Sequence, residues 1–224
     1  MLLDHWPLAG LRLRTPRLEL RLPDPEELAG LAELAADGVH DPSVMPFNVP
    51  WTDTPVAEQP RSVIQYNWSR WAAFSPESWE LGFSVFEDGR QVGQQALGGE
   101  RFPVLRQASS GSWLGLAHQG RGLGTEMRAA VLELAFVGLN ASEAVTSAME
   151  DNVASLAVSA KLGYEEDGIA RLVVRGGPVT QRRLRLSRER WAAHRRVPVE
   201  IVGLAPCLPL FGLAPADGAG SEAG

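Results

Sequence analysis

The order of elements in this sequence predicts an α+β fold, a mixed sheet flanked by helices. Three observations carry that expectation. Two alternating runs, 79–86 and 91–97, flank Asp88-Gly89, and an Asp-Gly pair between such runs is a strong hairpin signal. The best helical pattern, over 124–138, comes only after these strands. Strand patterns then return, so strands and helices do not alternate regularly as in a Rossmann chain.

Residues 1–16 read as a lead-in that closes at Thr15-Pro16. Residues 17–22 alternate charge with leucine, the period of a half-buried strand. Asp24 then suits a helix cap and Pro25 a first helical position, while Glu26 and Glu27 suit the positive helix end. Leu28, Leu31, Leu34 and Ala35 recur at helical spacing until Gly38. Residues 38–56 hold four prolines and little periodicity, which suits a surface loop. Met45, Phe47, Val49 and Trp51 are too apolar for full solvation, so the same loop equally suits the mouth of a substrate site, with His40 nearby. A helix follows over 58–74, with Val63, Trp68 and Trp71 expected inside.

After the hairpin, 98–110 reads as a looser connection and 111–116 as a short strand. Met127, Ala130, Val131, Leu134 and Gly138 share one face of the helix over 124–138. A strand over 143–149, a helix over 153–162 stopped by Gly163, and two strands around Arg175-Gly176-Gly177-Pro178 complete the pattern. Ser187 caps a last helix to about 195. Thus 1–196 forms the expected domain, 197–213 an apolar, proline-rich extension packed on it, and 214–224 a disordered tail.

The composition narrows the function classes. A formal charge of −6 and a pI near 5.3 argue against a broad nucleic-acid footprint, which needs a basic face. The single cysteine, Cys207, makes no internal disulfide, and no Cys/His cluster suggests a metal. No run approaches a membrane span and the first residues do not resemble a signal peptide, so a cytoplasmic protein is expected. A homo-oligomer is compatible with all of this.

The informative stretch is Trp113-Leu114-Gly115-Leu116, then Gln119-Gly120-Arg121-Gly122-Leu123-Gly124-Thr125. Glycines at alternate positions between a strand and a helix let backbone amides approach a ligand, and a helix N-terminus favours phosphate. A glycine-rich turn that merely turns is the plain alternative. A Walker loop would need Gly-Lys-Ser/Thr, and a Rossmann fingerprint G-x-G-x-x-G; neither spacing is present.

At these residues the chain resembles the GNAT superfamily of acyltransferases. Gln119–Gly124 matches its Q/R-x-x-G-x-G/A acyl-CoA motif. Asn152-Val153-Ala154-Ser155 followed by Lys161-Leu162-Gly163-Tyr164 matches its second signature, and Thr15–Leu20 is similar to the opening strand of the Rim-type branch. The wording around 38–47, 110–116, 124–132 and 209–212 is also similar to a mycobacterial member described as an N-succinyltransferase.

The resemblance implies a bulged, splayed mixed sheet with acyl-CoA, acetyl-CoA or succinyl-CoA, lying in the V. Trp113 to Leu116 would meet the pantetheine and the acyl carbonyl, and the amides of Gln119 to Thr125 the pyrophosphate. Asn152 would bond the pantetheine arm, and Ser155 would protonate the departing thiolate. A small-molecule, protein or peptide amine would attack directly. Read from the residues alone, Asn152 and Ser155 are better explained as caps of the helix over 153–162, a reading that the motif around them reverses, and Tyr164 belongs in the core.

One departure from the resemblance matters. The Rim-type branch usually carries a glutamate, available as general base, where this chain has Ser109. Glu100 on the preceding connection is the substitute the sequence offers. Without a base, an α-amine near pKa 8 costs about 1.4 kcal/mol to deprotonate at pH 7, and a lysine side chain about 4.6. The alternative reading is an acyl-CoA-binding regulatory or accessory module with weakened catalysis. A succinyl donor would need a cation near its carboxylate; Arg61, Arg101 and Arg106 are the nearest candidates.

Overall fold

The computed structural model describes residues 1–214. The expected disorder of the tail concerns residues that lie, apart from Ala214, outside that range. Nine strands form one sheet: β1 (Arg12–Arg14), β2 (Leu18–Arg21), β3 (Ser78–Glu87), β4 (Arg90–Glu100), β5 (Gln107–Leu114), β6 (Glu143–Met149), β7 (Glu165–Val174), β8 (Gly177–Ser187) and β9 (Glu200–Val202). Their spatial order is β7-β8-β6-β5-β4-β3-β2-β1-β9. Every pairing is antiparallel except β5 with β6.

That parallel pair is short. It joins Gln107 to Glu143, Ala108 to Ala144 and Ser109 to Val145, after which the strands part. A single side-chain bond, Thr146 Oγ1 donating to the Ser110 carbonyl at 2.9 Å, marks the apex. The sheet is therefore mixed and splayed. The register shifts lie at Val85/Phe86 and Glu166/Ile169, whereas β5 keeps an even register with β4.

The helices are α1 (Leu2–His5), α2 (Pro25–Ala36), α3 (Gln59–Ala72), α4 (Phe102–Leu105), α5 (Leu123–Glu133), α6 (Val153–Lys161) and α7 (Arg188–His194). The Asp24 carboxylate accepts from the Glu27 amide at 2.8 Å, and the Glu27 carboxylate accepts from the Asp24 amide at 3.1 Å, a reciprocal cap on α2. A π-type turn over Leu134–Gly138 extends α5. Ser187 caps α7 as expected.

Several expectations need correction. The lead-in is part of the sheet: Leu8, Leu11 and Leu13 are fully buried, and β1 pairs with both β2 and β9. The connection at 98–110 is mostly strand, interrupted by the single turn of α4 between Arg101 and Arg106, both with positive φ. Trp68 is exposed; α3 buries Gln59, Val63 and Asn67 instead. Its inner face is mixed, because Val63 joins an apolar cluster with α2 while Tyr66 and Asn67 line a cavity.

The main core gathers Leu81, Phe83 and Val85 of β3, Leu97 of β4 and Ala108 of β5 against Met127, Ala130, Val131 and Leu134. A smaller cluster, Ala32, Ala35, Val39 and Val63, joins α2 and α3 on the opposite face. Residues 197–213 contribute β9 and a 3₁₀ segment over Ala205–Phe211. Cys207 is buried there, and desolvation pushes its thiol up to about 11, consistent with an inert role.

The fully buried Phe211 meets Trp79 at 4.8 Å and Phe74 at 5.6 Å between ring centroids. Phe211→Ala is expected to cost about 3–5 kcal/mol in urea unfolding at an unchanged denaturant slope. A loss below about 1 kcal/mol would show that this segment contributes little to the core.

Candidate active site

The parting of β5 from β6 leaves one edge of β5 without a strand partner beyond Ser109. The chain turns from this edge through a 3₁₀ segment, Leu116–His118, and a loop into α5. Gly120 and Gly122 take φ of +73° and +81°. These angles suit glycine and strain any β-branched residue. Among the described residues, no hydrogen bond takes the backbone amides of Gly120, Arg121, Gly122, Leu123 or Gly124. Five successive unpaired amides at a helix N-terminus form a cradle for an anion.

The cradle is braced by the turn between β1 and β2. The Glu126 carboxylate accepts from Thr15 Oγ1 at 2.7 Å and from the Arg17 amide at 3.0 Å, and it pairs with the Arg17 guanidinium at 2.6 Å. Arg17 Nη1 also donates to the Arg121 carbonyl at 3.1 Å. Arg121 itself pairs with Glu87 at 2.9 Å. Gln119 Nε2 donates to the Val39 and Leu114 carbonyls at 2.7 and 2.9 Å, so its side chain shapes the loop.

Not every expected ligand amide is free. The Gly115 amide donates to Val92 and the Leu116 amide to Gly38, both at 3.0 Å, which corrects the reach of the open edge to Leu114. Thr125 likewise spends its amide on the Gly122 carbonyl. Trp113 turns its ring toward Trp51, 6.0 Å between centroids. On α6, Asn152 Oδ1 accepts from the Ser155 amide at 3.1 Å, the capping role that its residue type allowed. Ser155 is partly exposed, and its hydroxyl makes no hydrogen bond among the described residues.

On the other side of the open edge lies a cavity of about 760 Å³. Phe47, Val49 and Trp51 form its apolar wall, α3 supplies Tyr66 and Asn67, and the sheet supplies Glu80, Gln94 and residues 109–113. Gln94 Nε2 donates to Asn67 Oδ1 at 2.6 Å, and Asn67 Nδ2 to the Val63 carbonyl at 2.9 Å, fixing α3 over the sheet. The loop over 38–56 is tied down from β7–β8: Arg175 Nε donates to Asp53 at 2.8 Å, and Gln181 Nε2 to Asn48 at 2.6 Å.

Of the loop residues singled out in the sequence, Phe47 and Trp51 line the cavity, and His40 and Met45 do not. His40 is engaged internally, with its ring nitrogens 2.7 Å from the Asp41 carbonyl and from Thr52 Oγ1. Glu100 is also corrected. It stands exposed at the end of β4, accepts from Ser78 Oγ at 2.6 Å, and does not reach the cavity.

Two residues that sequence reasoning passed over belong to the site. Glu80 is the only charged residue among those lining the cavity, and Tyr66 donates to it at 2.7 Å. Desolvation, then this hydrogen bond, push the Tyr66 hydroxyl up to about 12, so it stays a donor. Glu80 alternates with Leu81, Phe83 and Val85, a signal that it faces away from the main core.

The second is Arg128, 4% exposed and without a carboxylate partner among the described residues. Its Nη1 donates to Ser159 Oγ at 2.9 Å and its Nη2 reaches Ser112 Oγ at 3.4 Å, so it ties α6 to β5 across the V. Burial lowers its pKa, with Tyr164 opposing, and burial raises that of the equally enclosed Tyr164. Tyr164 itself packs in the core, as its position in the sequence suggested.

Comparisons with known proteins agree with this architecture. The family described as Acetyltransferase (GNAT) domain matches residues 17–165. "Probable N-acetyltransferase YjcK" of Bacillus subtilis (strain 168) is 31% identical over 99 residues, 42% of this chain and 52% of that protein. The match therefore spans about half the length of that curated relative. Mycobacterium smegmatis RimJ in complex with CoA-disulfide superposes with a TM-score of 0.63 at 21% identity, covering 85% of this chain and 97% of that one. RimL, a ribosomal L7/L12 alpha-N-protein acetyltransferase solved with coenzyme A, gives 0.59 at 18% identity, covering 77% and 95%. These two likenesses establish the shared fold. With a family match that covers more than half of its length, the chain belongs to the GNAT acetyltransferase family.

Proposed function

We propose that the protein transfers a short acyl group, acetyl by preference, from acyl-CoA to a primary amine by direct attack. The observation that carries this reading is the run of five unpaired amides from Gly120 to Gly124 beside an open strand edge. That pairing suits a ligand with a pyrophosphate at one end and an amide-bearing arm at the other, as the M. smegmatis RimJ and RimL structures hold CoA species. The loop amides would take the pyrophosphate, and the edge of β5 would meet the pantetheine and polarise the acyl carbonyl. Asn152 Nδ2, left free by the cap, would bond the arm. Ser155 would give its proton to the departing thiolate. The cytoplasm is the compartment this reading assigns.

The cavity favours acetyl over succinyl. Arg61, Arg101 and Arg106 do not line it, and its one charge, Glu80, would repel a succinyl carboxylate. One observation favours succinyl as a second reading: Arg128 stands directly behind Ser112, which does line the cavity. A binding module with weakened catalysis is supported by Ser109 at the place where the Rim-type branch carries its glutamate. Thiol release on mixing acyl-CoA with amines separates an enzyme from a module.

Three outcomes are expected. Gly122→Val, forced into φ near +81° and crowding the cradle, should weaken CoA binding at least tenfold by calorimetry. Undiminished affinity in the folded variant would move the phosphate site elsewhere. Ser155→Ala should lower the single-turnover rate by about 10²-fold or more while donor affinity changes little. An unchanged rate would leave Ser155 as a residue of the helix turn only. In competition at equal concentrations, acetyl-CoA should win. A succinyl preference above tenfold, about 1.4 kcal/mol of discrimination, would reverse the donor assignment.

A further inference from the structure

We propose that the cavity over the sheet receives a primary amine carried on an aromatic or branched apolar body, with Glu80 taking the ammonium and its proton. The inference rests on the transferase reading above and names the substrate class of that site. Three observations support it, each independent of the acyl-CoA cradle.

The first is the charge balance of the walls. Nineteen residues line the cavity, and Glu80 is the only one among them that is formally charged. One ammonium is therefore matched. A polyamine or a lysine-rich peptide would bring further charges into a space that offers them only neutral partners, and unpaired charge is costly to desolvate.

The second is the wall facing Glu80's end of the sheet. Phe47 and Trp51 lie 5.2 Å apart and Trp51 and Trp113 6.0 Å apart, a continuous aromatic strip that α2 and α3 support from behind. An apolar or aromatic body gains by leaving water against such a strip. A cavity of about 760 Å³ has the size at which apolar walls with a few fixed polar groups bind small molecules.

The third is the placement of the carboxylate relative to the open edge. Glu80 pairs with Gly98 on β4, and Gly98 with Ser109 on β5, so Glu80 and Ser109 flank one residue on one face. Gly98 carries no side chain, and a Cβ there would come within 3.1 Å of Ser109 Oγ. No side chain therefore stands between Glu80 and Ser109, and both line the same cavity. Tyr66 holds one carboxylate oxygen at 2.7 Å, and the other has no partner among the described residues.

The step balances as follows. Glu80 takes one proton from the ammonium and passes it to solvent. The freed nitrogen pair forms the C–N bond, the C–S bond breaks, and the thiolate leaves with the Ser155 proton. The second proton shed by nitrogen restores the Ser155 hydroxyl.

The test uses the full chain, a panel of amines and two readouts. The panel is phenethylamine, tryptamine, spermidine, a lysine-rich peptide and a peptide with an N-terminal serine. Phenethylamine or tryptamine should exceed the other three at least tenfold in kcat/KM. Phe47→Ala and Trp51→Ala should raise KM for that amine at least tenfold, with acyl-CoA affinity within twofold of the parent. Glu80→Gln should lower kcat/KM by about 10²-fold or more, and Glu80→Ala should regain activity with added formate. Preference for spermidine or either peptide, or unchanged KM in both aromatic variants, would overturn the proposal. Amine binding in the presence of CoA is followed separately by quenching of indole fluorescence. Saturable quenching that Trp51→Ala abolishes supports the acceptor site even if no amine is turned over, in which case the transferase reading fails alone. Absence of quenching together with absence of selectivity defeats the site itself.

Discussion

The whole arrangement depends on the early end of one β-ladder. β5 and β6 share three residue pairs and then separate, so the backbone groups beyond them lose the partners that a continuous sheet would supply. Such groups are costly to leave unmade in a buried setting. The five amides from Gly120 to Gly124, unpaired among the described residues, continue the same opening into the N-terminus of α5. The split thus leaves a part-exposed strand edge available to a partner.

Keeping the split open requires restraint on both sides. Thr146 holds the apex through the Ser110 carbonyl. Arg128 spans the opening from Ser112 to Ser159, and Ser159 Oγ in turn donates to the Ser155 carbonyl at 3.0 Å. A buried guanidinium without a carboxylate is poor economy for stability alone. Its geometry explains its presence better, because five fixed donors on one plane brace two walls at once. Glu126, with Arg17 and Thr15, does the corresponding work for the cradle. The candidate site therefore rests on side chains of α5, α6 and β6 and on the turn between the first two strands of the chain.

Much of this was legible from local pattern. The Asp24 cap, the Asp88-Gly89 turn, the apolar face of α5 and the glycine spacing at 120–124 each depend on neighbours within a few residues. Local chemistry also left real ambiguities. Asn152 does cap its helix, so its residue type could not separate the two roles. The loop over 38–56 holds both kinds of residue: Phe47 and Trp51 face the cavity, while His40 folds back on Asp41 and Thr52.

The sequence by itself determined the fold class, the hairpin and the glycine turn before α5, because strand period, turn chemistry and helix ends are short-range properties. Only the tertiary structure decided which carboxylate stands in the cavity. Counted outward from the hairpin turn, where Glu87 faces Arg90, Glu80 would oppose Leu97. The register shift at Val85/Phe86 leaves Val92 as an extra residue on β4 and brings Glu80 opposite Gly98 instead. One residue of slip exchanges the faces of a strand, and here it sets the carboxylate beside a glycine gap rather than a core leucine. Such a bulge is settled by packing on both faces of the sheet, as is the burial of Arg128 between β5 and α6. Glu100, the nearer guess in sequence, lost its place for the same reason: β4 simply carries it past the end of the cavity.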